Sequence, residues 1–115
     1  MKAQSPSKAN FTNMNTKQFS SIIDSADVQL LDVRTAEEYD EGHIKNAILI
    51  DVRSESFLTT AEKKLDKKKT IAVYCRSGRR SAHAASLLAE KGFKVKNLED
   101  GIIGWTNAGY PITKE

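Results

Sequence analysis

Three short apolar runs, "VQLLDV" at 28–33, "AILI" at 47–50 and "IAVYC" at 71–75, alternate along the chain with stretches whose apolar residues recur at helical spacing. Runs of this kind need cover on both faces, and strands covered on both faces belong to parallel sheets with helices on either side. The intervening stretches supply those helices. Asn15 stands where it can cap a helix in which Phe19, Ile22, Ile23 and Ala26 form one stripe. Thr35 and Glu38 have capping-box spacing, with Gly42 as a stop. Phe57, Leu58, Ala61 and Leu65 mark a third helix over 56–66. Ser81, Ala85, Leu88 and Ala89 mark a fourth, closed by Gly92, and Asp100 opens a short last helix through Trp105, ended by Gly109 before Pro111. "FKVKNL" at 93–98 alternates polar and apolar, as an edge strand would. The expected fold class is α/β, a mainly parallel central sheet of about five strands flanked by helices.

A chain of 115 residues is read as one domain, able to bury a core without staples. Residues 1–10, "MKAQSPSKAN", read as a disordered lead and 11–115 as the folded domain. The lead has no apolar h-region, so it is not a signal peptide as it stands. The expected compartment is the cytoplasm, or an exported location if a leader precedes this start. No apolar run approaches the ~18 residues of a membrane span. The net charge of +3 implies no nucleic-acid surface, and the lysines at 63, 64, 67, 68 and 69 read as the solvated face and end of a helix. One cysteine excludes an internal disulfide, a CxxC pair and a multi-cysteine metal site. No metal-ligand spacing and no GxxxxGK or GxGxxG motif occurs, so neither metal nor cofactor is expected.

That cysteine, Cys75, ends a strand and is followed by "RSGRRS" and then helical periodicity. In parallel sheets ligands sit beyond the carboxyl ends of the strands, which is where Cys75 falls. A loop of about five residues running into a helix can turn the backbone N–H groups of Arg76 to Ser81 toward one point. The helix N-terminus adds partial positive charge there, Gly78 permits the tight curl, and Arg76, Arg79 and Arg80 add fixed charge. Each of these favours thiolate over thiol, and the same cradle can hold an anionic substrate. The bland alternative is a buried cysteine acting as a small hydrophobe.

With "LLDVRTAEEYDEGHIKNAILI" upstream of "IAVYCRSGRRS" and "GFKVKNLEDGIIGWTNAGYPI" downstream, the chain resembles single-domain rhodanese-like proteins from about Phe11 to Ile112. The resemblance implies thiosulfate sulfurtransferase chemistry. Cys75 takes the outer sulfur of a small anionic donor such as thiosulfate, sulfite leaves, and the persulfide passes its sulfur to cyanide or a thiol, with a protein as an alternative acceptor. It implies anion contacts from Arg76 and Arg80, with Arg79 next, and backbone amides from Ser77, Gly78, Arg79, Arg80 and Ser81, the last also offering its hydroxyl. Asp100–Gly101 stands where the family often has Gly-Gly, and is read as a local turn variant.

Two rival functions remain open. Phosphatases and arsenate reductases on related folds place an arginine six positions after the cysteine, where this chain has Ser81, with Arg80 one position short. A persulfide carrier without turnover of its own would keep the cysteine and need no small donor. Other tempting residues have plainer readings. His43 is expected to satisfy local hydrogen bonds and His83 to lie on the surface. Asp32 and Arg34, with Glu37 and Glu38, are expected to tie a strand end to the short helix through ion pairs, and Trp105 and Tyr110 to pack.

Overall fold

Along the middle strand of the sheet, successive residues enter two separate cores: Ile71, Val73 and Cys75 one, Ala72 and Tyr74 the other. The computed structural model describes residues 10–115, so the expected disordered lead falls, but for Asn10, outside the described residues. The strands are β1 (Thr12–Met14), β2 (Val28–Asp32), β3 (Ile48–Leu49), β4 (Thr70–Tyr74) and β5 (Val95–Leu98). All neighbours pair in parallel, in the order β1-β5-β4-β2-β3. The helices are α1 (Thr16–Ile22), α2 (Ala36–Glu41), α3 (Phe57–Lys64), α4 (Arg79–Glu90) and α5 (Gly101–Asn107). The α/β fold with a five-stranded parallel sheet is as the sequence implied.

The period-2 alternation of a strand explains the two cores. On one face Leu31, Val33, Ile71, Val73 and Val95 meet Phe57, Ala61, Ala84, Ala85 and Leu88 of α3 and α4. On the other, Leu30, Ala72, Tyr74 and Leu98 meet Phe19 of α1 and Ile102 and Trp105 of α5. Phe19 and Trp105 pack edge to face at 6.3 Å, and Trp105 Nε1 donates to the Pro111 carbonyl at 2.8 Å. Trp105 and Tyr110 therefore have the packing roles expected of them.

Two expectations change. Residues 93–98 do not form an edge strand: β5 starts at Val95 and lies between β1 and β4. Its polar residues Lys94 and Lys96 stay exposed or half-buried, while Asn97, in phase with the apolar Phe93 and Val95, is buried and donates to Asn13 Oδ1 at 3.0 Å. The edge is β1, three residues with no apolar pattern, held to β5 by backbone pairing. Ala26 is exposed and lies outside α1, which stops at Ile22. The capping boxes at Asn15 and Thr35 form as expected, Gln18 serving the first and Glu38 the second.

From β2 the chain leaves into α2 on the Tyr39 face, whereas from the adjacent β4 it leaves into α4 on the opposite face. Neighbouring parallel strands whose connections diverge in this way open a crevice at their carboxyl ends. Cys75 and Arg34 stand at that crevice. Among the described residues, no helix is long and apolar enough to cross a membrane.

Candidate active site

β4 stops at Tyr74 and α4 begins at Arg79, so the connecting loop is the four residues Cys75–Gly78. This is tighter than the five-residue loop read from sequence, because Arg79 and Arg80 already belong to the first turn of the helix. Gly78 is the N-cap, at φ +100°, and its amide donates to Cys75 Sγ at 3.1 Å. Cys75 as a whole is buried, 1% exposed. The first turn of any α-helix leaves its N–H groups without intrahelical acceptors, and that turn of α4 runs from Arg79 to Ser81, just beyond the sulfur.

A second turn of chain locks the loop from outside. The N–H of Ile102 donates to the Cys75 carbonyl at 2.9 Å and that of Ile103 to the Arg76 carbonyl at 3.1 Å. Loop carbonyls thus cap the start of α5 while its amides fix the loop. The approach is so close that a Cβ on Gly101, which sits at φ +65°, would fall 2.2 Å from the Arg76 carbonyl oxygen. Asp100 makes no capping hydrogen bond, which agrees with its reading as a turn variant: the glycine that the geometry demands is Gly101.

The arginines divide into engaged and free. Arg80 donates to both carboxylate oxygens of Glu38, at 2.8 and 2.9 Å, tying α4 to α2. Its guanidinium is therefore already paired, rather than open to an anion as the resemblance implied. Hydrogen bonding to Glu38 raises the Arg80 pKa, and a negative charge on nearby Cys75 would raise it further. Arg34 holds Asp32 in a buried pair at 2.7 Å and donates to the Gly42 carbonyl at 2.8 Å. Burial alone would lower the Arg34 pKa, but the hydrogen bonds and charge of Asp32 outweigh it. Asp32 and Arg34 pair as expected, but what ties this strand end to α2 is the Arg34 hydrogen bond to the Gly42 carbonyl, not an ion pair: Glu38 reaches across to α4, and Glu37 makes no ion pair among the described residues. Arg76 and Arg79 are exposed and make no ion pair among the described residues. Arg76 borders a pocket beside the loop together with Glu38, Arg34 and residues of α5.

Ser77 is exposed, and the buried Ser81 hydroxyl donates to the Gly78 carbonyl at 3.2 Å, bracing the loop. His43 is buried, with Nδ1 2.9 Å from the Tyr39 carbonyl and its ring stacked on Tyr39 at 3.6 Å, while His83 is exposed. Both fit their plainer readings. The sequence reading missed the Glu38–Arg80 bridge, which joins residues 42 apart and leaves no local signal.

The Gly78 amide and the amides at the start of α5 thus hold a tight loop around the Cys75 sulfur. Residues 15–108 match the rhodanese-like domain family. The chain belongs to the rhodanese-like family. It is 35% identical to a sulfurtransferase of Allochromatium vinosum over 79% of this chain and 83% of that one. It is 34% identical to a tRNA uridine(34) hydroxylase of Cytophaga hutchinsonii, covering 90% of this chain but 34% of that one, so a rhodanese-like unit also occurs within a longer protein. Among solved structures, a rhodanese-related protein from Thermoplasma volcanium superposes with a TM-score of 0.80 at 33% identity, over 91% of this chain and all of that one. Membership in a rhodanese-like family with sulfurtransferase relatives supports transferase chemistry and therefore a sulfur donor and an acceptor.

The bridge in this rhodanese-like site gives a direct test. Hydrogen bonds from Arg80, ahead of the Thr35 cap, hold the Glu38 pKa at about 2 instead of 4.5. The folded value lies below the unfolded one, so the stabilisation is complete above about pH 4.5 and is lost as pH falls toward 2. Replacing Glu38 with Gln is expected to cost ~1–2 kcal/mol at neutral pH. Urea denaturation across that range should show a shallower acid loss in the variant. An unchanged acid limb would show that the bridge does not carry it.

Proposed function

We propose that the protein is a sulfurtransferase that carries sulfane sulfur as a persulfide on Cys75. The observation that supports this most directly is the Gly78 amide 3.1 Å from Cys75 Sγ, at a strand end facing the start of α4. An amide donor aimed at sulfur favours the thiolate and, after attack, the persulfide that replaces it. The thiolate attacks the outer sulfur of thiosulfate, the donor's S–S bond breaks, and sulfite leaves with the electron pair. Cyanide or a thiolate then attacks the terminal sulfur and regenerates the Cys75 thiolate. In this reading Arg76 and Arg79 are the free cations that meet the donor, the amides of Ser77 to Ser81 form the cradle, and Arg80 positions α4 through Glu38.

Incubation with thiosulfate is expected to add about 32 Da, one sulfur atom, to Cys75. Cyanide should remove that mass and release thiocyanate. The burial of Cys75 favours one alternative, a carrier whose sulfur is loaded and unloaded only by a docked protein. Loading from a sulfur-bearing protein, with no mass gain from thiosulfate, would establish the carrier instead. Oxyanion hydrolysis is disfavoured because Arg80 is held by Glu38 and the next position is Ser81, whose hydroxyl braces the loop. Release of phosphate from an aryl phosphate without sulfur transfer would reverse that order.

A further inference from the structure

Positive charge collects at the end of the sheet opposite Cys75. α3 ends in Lys63 and Lys64, and the turn that follows it into β4 carries Lys67, Lys68 and Lys69. Lys91 is the C-cap of α4, and Lys94 and Lys96 stand just before and within β5. In segments 61–70 and 90–96, eight lysines are set against three carboxylates, Glu62, Asp66 and Glu90. That local excess of five positive charges is larger than the +3 of the whole chain, so the rest of the chain is net negative. A net charge of +3 therefore does not exclude a nucleic-acid surface here. The fold makes the two segments neighbours. The Ile71 N–H donates to the Lys94 carbonyl at 2.8 Å, and Lys67 Nζ lies 5.3 Å from the centre of the Phe93 ring. Seven of the eight lysines are exposed and Lys96 is half-buried; only Lys67 makes an ion pair among the described residues, with Glu62 at 3.1 Å. Lys63, Lys64 and Lys91 stand at helix carboxyl ends, where a cation has a helix to serve. Lys68, Lys69, Lys94 and Lys96 have no such task, and like charges gathered without counter-charge weaken a fold. Beside them opens a recess of about 330 Å³ lined by Phe11, Thr12, Thr70, Phe93, Lys94 and Lys96, with Lys96 Nζ 3.5 Å from Thr12 Oγ1.

The make-up of this surface selects its partner. Protein interfaces centre on aromatic and arginine side chains and are depleted in lysine. Neither lysine segment contains an arginine, and the exposed large hydrophobic side chains among the described residues, Ile103 and Ile112, line the pocket beside the active loop instead. A membrane would find no exposed large apolar side chain here to take up. A phosphodiester backbone asks only for point charges, which lysine supplies. We propose that this end of the sheet binds the phosphate backbone of a single-stranded nucleic acid, without reading its sequence, and takes one phosphate into the recess at Lys94 and Lys96. A flexible strand can turn a phosphate into such a recess, whereas a stiff duplex cannot. The surface is separate from the sulfur chemistry. Lys69 and Cys75 stand at opposite ends of β4, about 20 Å apart at the rise of an extended strand, so a bound nucleic acid leaves the active loop open.

The test titrates fluorescein-labelled oligouridine of about 20 nucleotides with the full chain and follows anisotropy. A Kd on the order of 10 μM is expected at about 50 mM salt, and log K should fall against log salt with a slope of about −3, as for roughly four neutralised phosphates. Lys68→Gln combined with Lys94→Gln should lower affinity about tenfold or more and bring the slope to about −1.5. Arg76→Gln combined with Arg79→Gln removes the same charge at the opposite end of the sheet and should change affinity by less than about twofold. All four side chains are exposed, and thermal denaturation checks that each variant keeps its fold. A slope near zero, equal losses in the two double variants, or tighter binding of a duplex of the same length overturns the proposal. Capture by phosphatidylserine vesicles but not by oligouridine overturns it in favour of a membrane, and binding of polyglutamate as tight as that of oligouridine does so in favour of an acidic protein.

Discussion

Cys75→Ser is expected to reduce sulfur transfer by about 10⁴-fold or more, in line with losses on removing other enzymatic nucleophiles. Oxygen in place of sulfur cannot hold a sulfane sulfur, and a serine hydroxyl at neutral pH lacks the anionic character of a thiolate. The fold should tolerate the change. Cys75 packs at the margin of the core formed by Val73, Ala84 and their neighbours, and serine keeps an acceptor for the Gly78 amide. Burying a hydroxyl there costs ~1 kcal/mol when it is hydrogen-bonded. Thiocyanate release measures the first effect and urea denaturation the second. A serine variant that keeps more than about a hundredth of the wild-type rate would remove Cys75 from the mechanism.

Gly78→Ala should disable both the loop and the protein's stability. Gly78 sits at φ +100°, and an added Cβ would meet the Glu99 carbonyl oxygen at 2.0 Å and its carbon at 2.9 Å. Both are backbone atoms, held where the Glu99 amide bonds the Met14 carbonyl in the sheet, so neither can swing aside as a side chain would. Left-handed backbone alone costs a non-glycine residue ~1–2 kcal/mol, and relieving the clash adds more, for a total of ~3–5 kcal/mol. That corresponds to a fall in Tm of roughly 10–20 °C for a chain of this size. The displaced amide would no longer reach Cys75 Sγ, so transfer should fall as well. Gly92→Ala separates strain from contact. Gly92 has a similar φ of +95° but nothing within 4 Å of an added Cβ, so the cost should be the ~1–2 kcal/mol of strain alone. Similar Tm losses for the two variants would show that the Glu99 contact is not what constrains the loop.

The sheet was legible because β2 and β4 are apolar on both faces, which only a strand between two helical layers requires. Capping at Asn15 and Thr35 was legible because a cap is local, three residues from its partner. β1 was not, since three residues with little apolar character become a strand only when β5 offers its edge. The same neighbour turned the apparent edge strand at 93–98 into an internal one.

In the site the division is similar. The sequence alone determined that a single cysteine would stand at the carboxyl end of a buried strand, followed by a glycine and a helix start, because strand, turn and helix signals are all written within a few residues. Only the tertiary structure decided which arginines remain available, since Glu38 and Arg80 are 42 residues apart and meet across the crevice between α2 and α4. Only it brought Glu41, Ile103 and Ile112 beside Arg76. Charges and apolar surfaces contributed by separate elements become neighbours through the sheet order, and no spacing along the chain encodes that order.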